Sequence, residues 1–197
     1  ALLVAIPLYR TWRPGQSGAG AAGSRIWQKR IHQFEIFNTY ARFTLWAPPD
    51  AERLAVKEAM AELRRLHQVI NVFDEESELS RLNRTAYGEP FPCSERLWDI
   101  LSAAREAYEQ TNGAFDISIG PLMRLWGFHA KRDTLPKAKE IEEALASVGL
   151  GKVRFSREER SVQFTAPGMR LDLGGIAKGY GLDIVVETLR RHGITCG

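Results

Sequence analysis

Three segments of this 197-residue chain carry residue types and spacings suited to chemistry. The first is LDLGGIAKGYGLD, residues 171–183, where an extended Leu-Asp-Leu runs into Gly174-Gly175 and then into a helix-forming stretch. A helix opened by glycines presents free backbone N–H groups and the positive end of its dipole, which suits phosphate, and the Lys178 ammonium reinforces it. The pattern is neither a Walker A loop nor GxGxxG, so no nucleotide class follows from it. A tight junction whose glycines merely permit close packing fits the same residues. The second segment, NGAFDISIGPL, places Asp116 between aromatic and aliphatic neighbours. A carboxylate there needs a polar partner or a ligand hydroxyl or amine, unless it lies on the exposed face of an edge strand. The third, FDEESELSRLN at residues 73–83, is by itself a capped surface turn.

Other chemistries find little support. His32, His67, His129 and His192 never fall at metal-ligand spacing, and each reads as structural or exposed. Cys93 and Cys196 are far apart with no CxxC, so a zinc site or dithiol is not expected and spare or buried thiols are. No Ser/His/Asp or Cys/His arrangement is argued by spacing.

The elements that must position these segments follow from periodicity. A strand is expected from Phe34, with Phe43 and Leu45 alternating against polar neighbours, ending at Pro48-Pro49. Asp50 caps a helix with an apolar stripe through Val56, Ala59, Leu63, Leu66 and Ile70. Ser77 caps a short helical turn, and Ser94 caps a helix that stops at Asn112-Gly113. The alternation of Phe115, Ile117 and Ile119 predicts a half-buried strand broken by Gly120-Pro121. A helix bracketed by Pro136 and Gly149 follows, then a hairpin of Val153/Phe155 with Val162/Phe164, a short strand at residues 171–173, and a helix to His192. Helices and strands without βαβ regularity make an α+β class, with a mixed sheet covered by helices.

Composition narrows the function classes. With 44% hydrophobic and 26% charged residues, 5 Trp, 9 Phe and 5 Tyr, disorder, collagen and coiled coil are excluded. Five of the 27 basic residues, Arg10, Arg13, Arg25, Lys29 and Arg30, lie in the first 30 positions, which hold no acid. The remainder carries 22 basic against 24 acidic residues. That body has no basic run with interleaved aromatics, so nucleic acid is not an expected partner. The apolar residues 1–8, flanked by Tyr9, Arg10, Trp12 and Arg13, read as a signal or membrane-anchor remnant, with residues 14–24 a flexible linker. Residues 1–30 are therefore set apart from a domain at 31–197.

Taken in order, the three segments resemble the FAD:protein FMN transferase (ApbE) family from about Phe34 onward. The resemblance implies an α+β flavin transferase fold that binds FAD with magnesium and transfers FMN to a threonine hydroxyl of a partner flavoprotein, releasing AMP. It further implies targets in membrane electron-transfer complexes and a place on the periplasmic or extracytoplasmic face of the bacterial inner membrane. Residue by residue, it puts Phe37 where the family has a flavin-contacting Met, and Phe73 at the aromatic before the Ser-Glu-Leu-Ser run. Ala114, Phe115 and Asp116 match the FAD-holding segment. Gly174 and Tyr180 match contacts around the glycine turn beside Lys178, and the backbone carbonyl of Ala177 is an implied magnesium ligand. The family's later Gly-Gly loop, His segment and Asp-rich stretch ending in Thr have no counterpart before Gly197. The resemblance thus implies an incomplete domain at the C-terminal end. Magnesium-dependent hydrolysis of FAD to FMN and AMP, or a non-catalytic FAD-binding module, are the alternatives.

Overall fold

A computed structural model describes residues 27–129 and 131–197. The apolar stretch and linker on which the anchor expectation rests lie outside the described residues. Among the described residues no helix is long and apolar enough to cross a membrane. The chain divides into two compact units, one combining the residues up to Leu63 with Asp183–Gly197 and the other Arg64–Leu182.

In the first unit, β1 (Gln28–Ile36) and β2 (Thr39–Ala47) form an antiparallel hairpin, in register from Gln28 with Ala47 to Ile36 with Thr39. One strand was expected here. The turn consists of Phe37 and Asn38, both at positive φ (52° and 54°), the backbone twist that suits a two-residue hairpin. A Phe in that conformation is rare, so the sequence carried no turn signal at its first position. Phe43, Leu45 and Ala47 alternate onto one face of β2 and are buried in one cluster with Ala55, Val56, Ala59 and Leu63 of α1 (Pro49–Ile70). Val185 and Leu189 of α6 (Gly174–Arg191), and Ile194 beyond it, complete the cluster. Phe34 meets Phe43 edge to face at 4.8 Å. Trp46 N donates to the Cys196 carbonyl at 3.0 Å, so the returning chain caps the free edge of β2 locally.

The second unit holds the three chemistry-bearing segments. Ser77 caps α2 (Glu78–Thr85) by accepting from Ser80 N, and Ser94 caps α3 (Glu95–Gln110) by accepting from Leu97 N, both as expected. After α3, Asn112 and Gly113 take positive φ and end it. A three-stranded antiparallel sheet runs in the order β3 (Phe91–Pro92), β5 (Ser161–Phe164), β4 (Val153–Ser156), so the expected β4–β5 hairpin is present.

Two expected strands are not formed. Residues 115–119 make a turn instead, because the Asp116 carboxylate accepts from Ser118 N at 2.7 Å and diverts the backbone from a ladder. Gly120-Pro121 is not a break but the start of α4 (Gly120–Leu125), with Pro in the first turn, where its missing N–H costs nothing. Residues 171–173 are extended without a ladder; Arg170 forms a single parallel bridge with Ile119. The α+β class holds. Among the described residues both sheets are antiparallel rather than mixed, and the parallel Ile119–Arg170 bridge lies outside their strands.

Candidate functional site

Side-chain amides and carboxylates tie the second unit's segments together. The Asn83 side chain donates to the Leu171 carbonyl at 2.9 Å and accepts from Leu171 N at 2.7 Å, fastening α2 to the strand-like segment before the glycine turn. Asp172 N donates to the Ile117 carbonyl at 2.7 Å, which joins that segment to the Asp116 turn. Gly120 allows the closest approach: a Cβ there would lie 2.5 Å from the Arg170 carbonyl oxygen. Only glycine fits at that spacing.

Asp172 is buried and both of its oxygens are used. Oδ1 accepts from Gly174 N at 2.7 Å, and Oδ2 meets His129 Nε2 at 2.6 Å. The His129 ring stands edge-on to Phe73, with centroids 5.8 Å apart. Phe73 itself is 58% exposed, presenting an aromatic face to solvent at the mouth of the group. At α6, Gly174 and Gly175 are exposed, and a Cβ on Gly175 would lie 3.1 Å from Phe115 Cε2. The Phe115 ring therefore lies against the glycine turn. Asp116 is engaged within the chain: besides Ser118 N, its carboxylate accepts from Leu150 N at 3.0 Å, while Ser118 Oγ accepts from Gly149 N at 2.7 Å.

Of the nine residues singled out in the sequence, eight by resemblance and Lys178 by its charge, all but Phe37 fall in this unit. Phe73 reaches the turn through His129 and Asp172, and Phe115 touches it directly; Gly174 is bonded to Asp172. Ala114 is exposed beside Phe115, Lys178 is exposed on α6, and Tyr180 is half-buried on the same helix. Ala177 is buried, its N–H donating to the Leu173 carbonyl at 2.8 Å in the first turn of α6. Phe37 belongs to the first unit, at the hairpin turn, packed against that unit's core.

Beside these residues opens a cleft of about 450 Å³. Phe73, His129, Asn83, Ser80, Leu171 and Val72 line it, together with Arg84, Arg124, Arg170 and Glu75. Burial, followed by the charges of Arg124 and Arg84, holds the Arg170 guanidinium below its ordinary value. Spacing does not single out these arginines, and it reads His129 as structural or exposed. The signal was nevertheless there: one arginine follows Asn83, one sits in PLMRLWGF and one precedes Leu171, each within or beside a chosen segment.

Elsewhere, burial first and the charge of Glu78 second push the Cys93 thiol up to about 12, so it is a packing residue at neutral pH. Among the described residues, no three His, Cys, Asp or Glu side chains converge as a metal site.

Comparison with known proteins points one way. The model of the ApbE family matches residues 37–197. An FAD:protein FMN transferase of Vibrio cholerae is 33% identical over 144 residues, 70% of this chain and 42% of the relative. One from Treponema pallidum is 28% identical over 185 residues, 90% of this chain and 51% of the relative. Among solved structures, the flavin transferase ApbE from Vibrio cholerae superposes with a TM-score of 0.79 at 26% identity, covering 85% of this chain and 55% of that one. The ApbE protein of Thermotoga maritima gives a TM-score of 0.77 at 29% identity, covering 84% and 53%. The chain spans about half the length of these relatives.

Proposed function

The chain belongs to the ApbE family, and from that premise we propose that it serves the transfer of FMN from FAD to a threonine hydroxyl of an acceptor flavoprotein. In that reaction the threonine oxygen attacks the phosphorus on the FMN side, a bond forms to the acceptor, and the P–O bond to the AMP phosphate breaks. AMP leaves with the electron pair, and the hydroxyl proton passes to a base. The observation that carries the reading is the convergence of all three segments in one unit: Phe73 through His129 to Asp172, Asp172 to Gly174, and Phe115 against Gly175.

The chain's own residues divide the work by what they touch. Phe73 offers an exposed aromatic face for a flavin or adenine ring. Lys178 adds an exposed cation on the first part of α6, and Phe115, next to Ala114, lies against Gly175 at the start of that helix. Asp116 acts as a positioning residue, because its two bonded amides fix the turn that carries Phe115. Phe37 is proposed as an apolar flavin contact on the family's pattern alone, and Tyr180 as a cofactor contact on α6.

Magnesium is required in this reading as a Lewis acid on the pyrophosphate. The described residues do not assemble its site: the implied donor is the carbonyl of Ala177, and a hard dication needs several oxygen ligands with negative charge among them. The apolar residues 1–8 with their Tyr/Trp/Arg flank support a membrane-anchored protein on the extracytoplasmic face, acting on a subunit of a membrane electron-transfer complex.

The test is to titrate the purified chain with FAD by flavin fluorescence, then add magnesium and an acceptor domain bearing the threonine. A fluorescent acceptor band on a denaturing gel, with AMP released in equal amount, supports transfer. FMN and AMP without a labelled acceptor would mean that water takes the place of threonine. Binding with neither product would confine the chain to holding the nucleotide, and absence of binding contradicts the reading.

A further inference from the structure

The hairpin of the first unit buries one face and leaves the other bare. Phe43, Leu45 and Ala47 turn inward onto α1, so Lys29, Ile31 and Trp46, at the alternate positions, share the outer face, with Lys29 directly opposite Trp46. Trp27, Ile31 and Trp46 are exposed by 51%, 57% and 39%, and the Lys29 ammonium lies 5.6 Å from the Trp46 ring centroid. Toward the turn the same face becomes polar, with Gln33 opposite Arg42 and Glu35 opposite Tyr40. The tryptophans are thus confined to the open end of the hairpin.

Cations gather at the same end. Between the start of β1 and the first turns of α1 lies a concavity of about 520 Å³ bordered by Arg30, Arg53 and Lys57, all three exposed. Of its two acids, Glu52 is buried against His32, and Asp50 stands 3.7 Å from Arg53. With Lys29 the cations outnumber the acids. The chain also enters β1 here: Trp27 follows Arg13, the last of the Tyr/Trp/Arg flank, by 14 residues. Those steps reach at most about 50 Å, so a bilayer holding the apolar stretch stays within that distance of the hairpin's open end. Indoles favour the depth of the headgroups, and ammonium and guanidinium groups are drawn to anionic phosphates. A surface tethered this close meets the bilayer at high effective concentration, an advantage that a soluble partner does not share.

We propose that the open end of the β1–β2 hairpin, with Trp27, Lys29 and Trp46 beside Arg30, Arg53 and Lys57, is a docking surface for an anionic phospholipid bilayer. The nearness of that bilayer rests on the membrane-anchored reading; the surface itself is a property of the first unit. It does not involve Phe37, which sits at the opposite end of the hairpin.

The experiment sediments the full chain with vesicles of phosphatidylcholine alone and of an equal mixture of phosphatidylcholine and phosphatidylglycerol, and does not depend on flavin transfer. Tighter binding to the anionic vesicles is expected, falling as salt is added. Lys29→Gln and Arg53→Gln should each weaken it roughly fivefold on the anionic vesicles, and Trp46→Ser should weaken it on both compositions. All three residues are exposed, so the variants keep the fold, and Arg154→Gln, an exposed change on β4, should leave binding unaltered. Replacing Leu2, Leu3, Val4 and Ile6 by Ser tests the anchor separately. Loss of binding to the neutral vesicles with the anionic preference kept supports anchor and surface together; unchanged binding contradicts the anchor, while the Lys29 and Trp46 variants still decide the surface. Equal binding of the wild type to both vesicles, or equal affinity of wild type, Lys29→Gln and Trp46→Ser, overturns the proposal. A dimer of the chain that is lost in Trp46→Ser, with vesicle binding unchanged, assigns the face to a second copy and overturns it as well.

Discussion

The glycine turn and the neighbouring arginine-lined cleft present opposite electrostatic conditions. On one side, the glycine turn at Gly174 carries the positive end of a helix, and the chain supplies its own anion, Asp172, bonded to Gly174 N and to His129. On the other side, Arg170 and Arg124 carry full positive charges, and the described residues supply no anion to them. A region whose charge is satisfied internally is built to hold shape; one whose charge is left open is built to hold something else. The glycine turn, conspicuous in the sequence, thus serves in part as scaffold, and the unremarked arginines supply the open charge.

The comparison breaks most visibly at the carboxylates. Asp116→Ala removes the acceptor for two backbone amides, and should lower the unfolding free energy by about 3 kcal/mol in a denaturant titration. If stability holds while FAD affinity falls, Asp116 contacts the cofactor rather than the scaffold. Asp172→Asn keeps the shape but removes the charge beside Gly174. It should cost about 1–2 kcal/mol and raise FAD affinity by relieving repulsion between the carboxylate and the phosphates near the turn. An unchanged or lower affinity would show that Asp172 does not govern what the turn accepts.

Smaller effects sharpen the contrast. Gly175→Ala places a methyl 3.1 Å from the Phe115 ring, which must shift by a few tenths of an ångström. Since alanine also favours helix by up to about 1 kcal/mol, net stability should stay within about 1 kcal/mol of wild type while FAD affinity falls. Parallel losses in both would make the glycine a packing requirement only. Arg124→Gln should leave the thermal midpoint almost unmoved, as expected for an exposed residue with no partner to lose.

Much of the second unit was legible in sequence because its signals are local. Ser77 and Ser94 announce helices by the bond each makes three residues on, and Val153/Phe155 against Val162/Phe164 announces a hairpin by alternation. The failures came where one local signal masked another. The apolar alternation of Phe115, Ile117 and Ile119 looked like a strand, but Asp116 bonds its own backbone two residues on and wins. Gly120-Pro121 looked like a break, yet proline fits the first turn of α4. The hairpin of the first unit turns at Phe37-Asn38, and a Phe at positive φ leaves no trace in composition.

The site was half legible for a related reason. Gly174, Phe115 and Phe73 stand out as types within motifs, whereas Arg84, Arg124 and Arg170 matter only as a set. Long-range bonds such as Asn83 to Leu171 bring that set together. His129 became a member of the site through Asp172, a pairing across the fold that no spacing reveals.

The central claim is that the unit Arg64–Leu182 holds the flavin nucleotide. Phosphorus NMR of FAD tests it most directly, because the two pyrophosphate resonances report on the charge around them without reference to transfer. The account predicts that adding the chain shifts and broadens both resonances, and that Lys178→Gln, which removes the cation on the first part of α6, returns them part of the way to free FAD. Resonances that move equally with wild type and with a folded Lys178→Gln would place the phosphates away from the glycine turn and contradict the account.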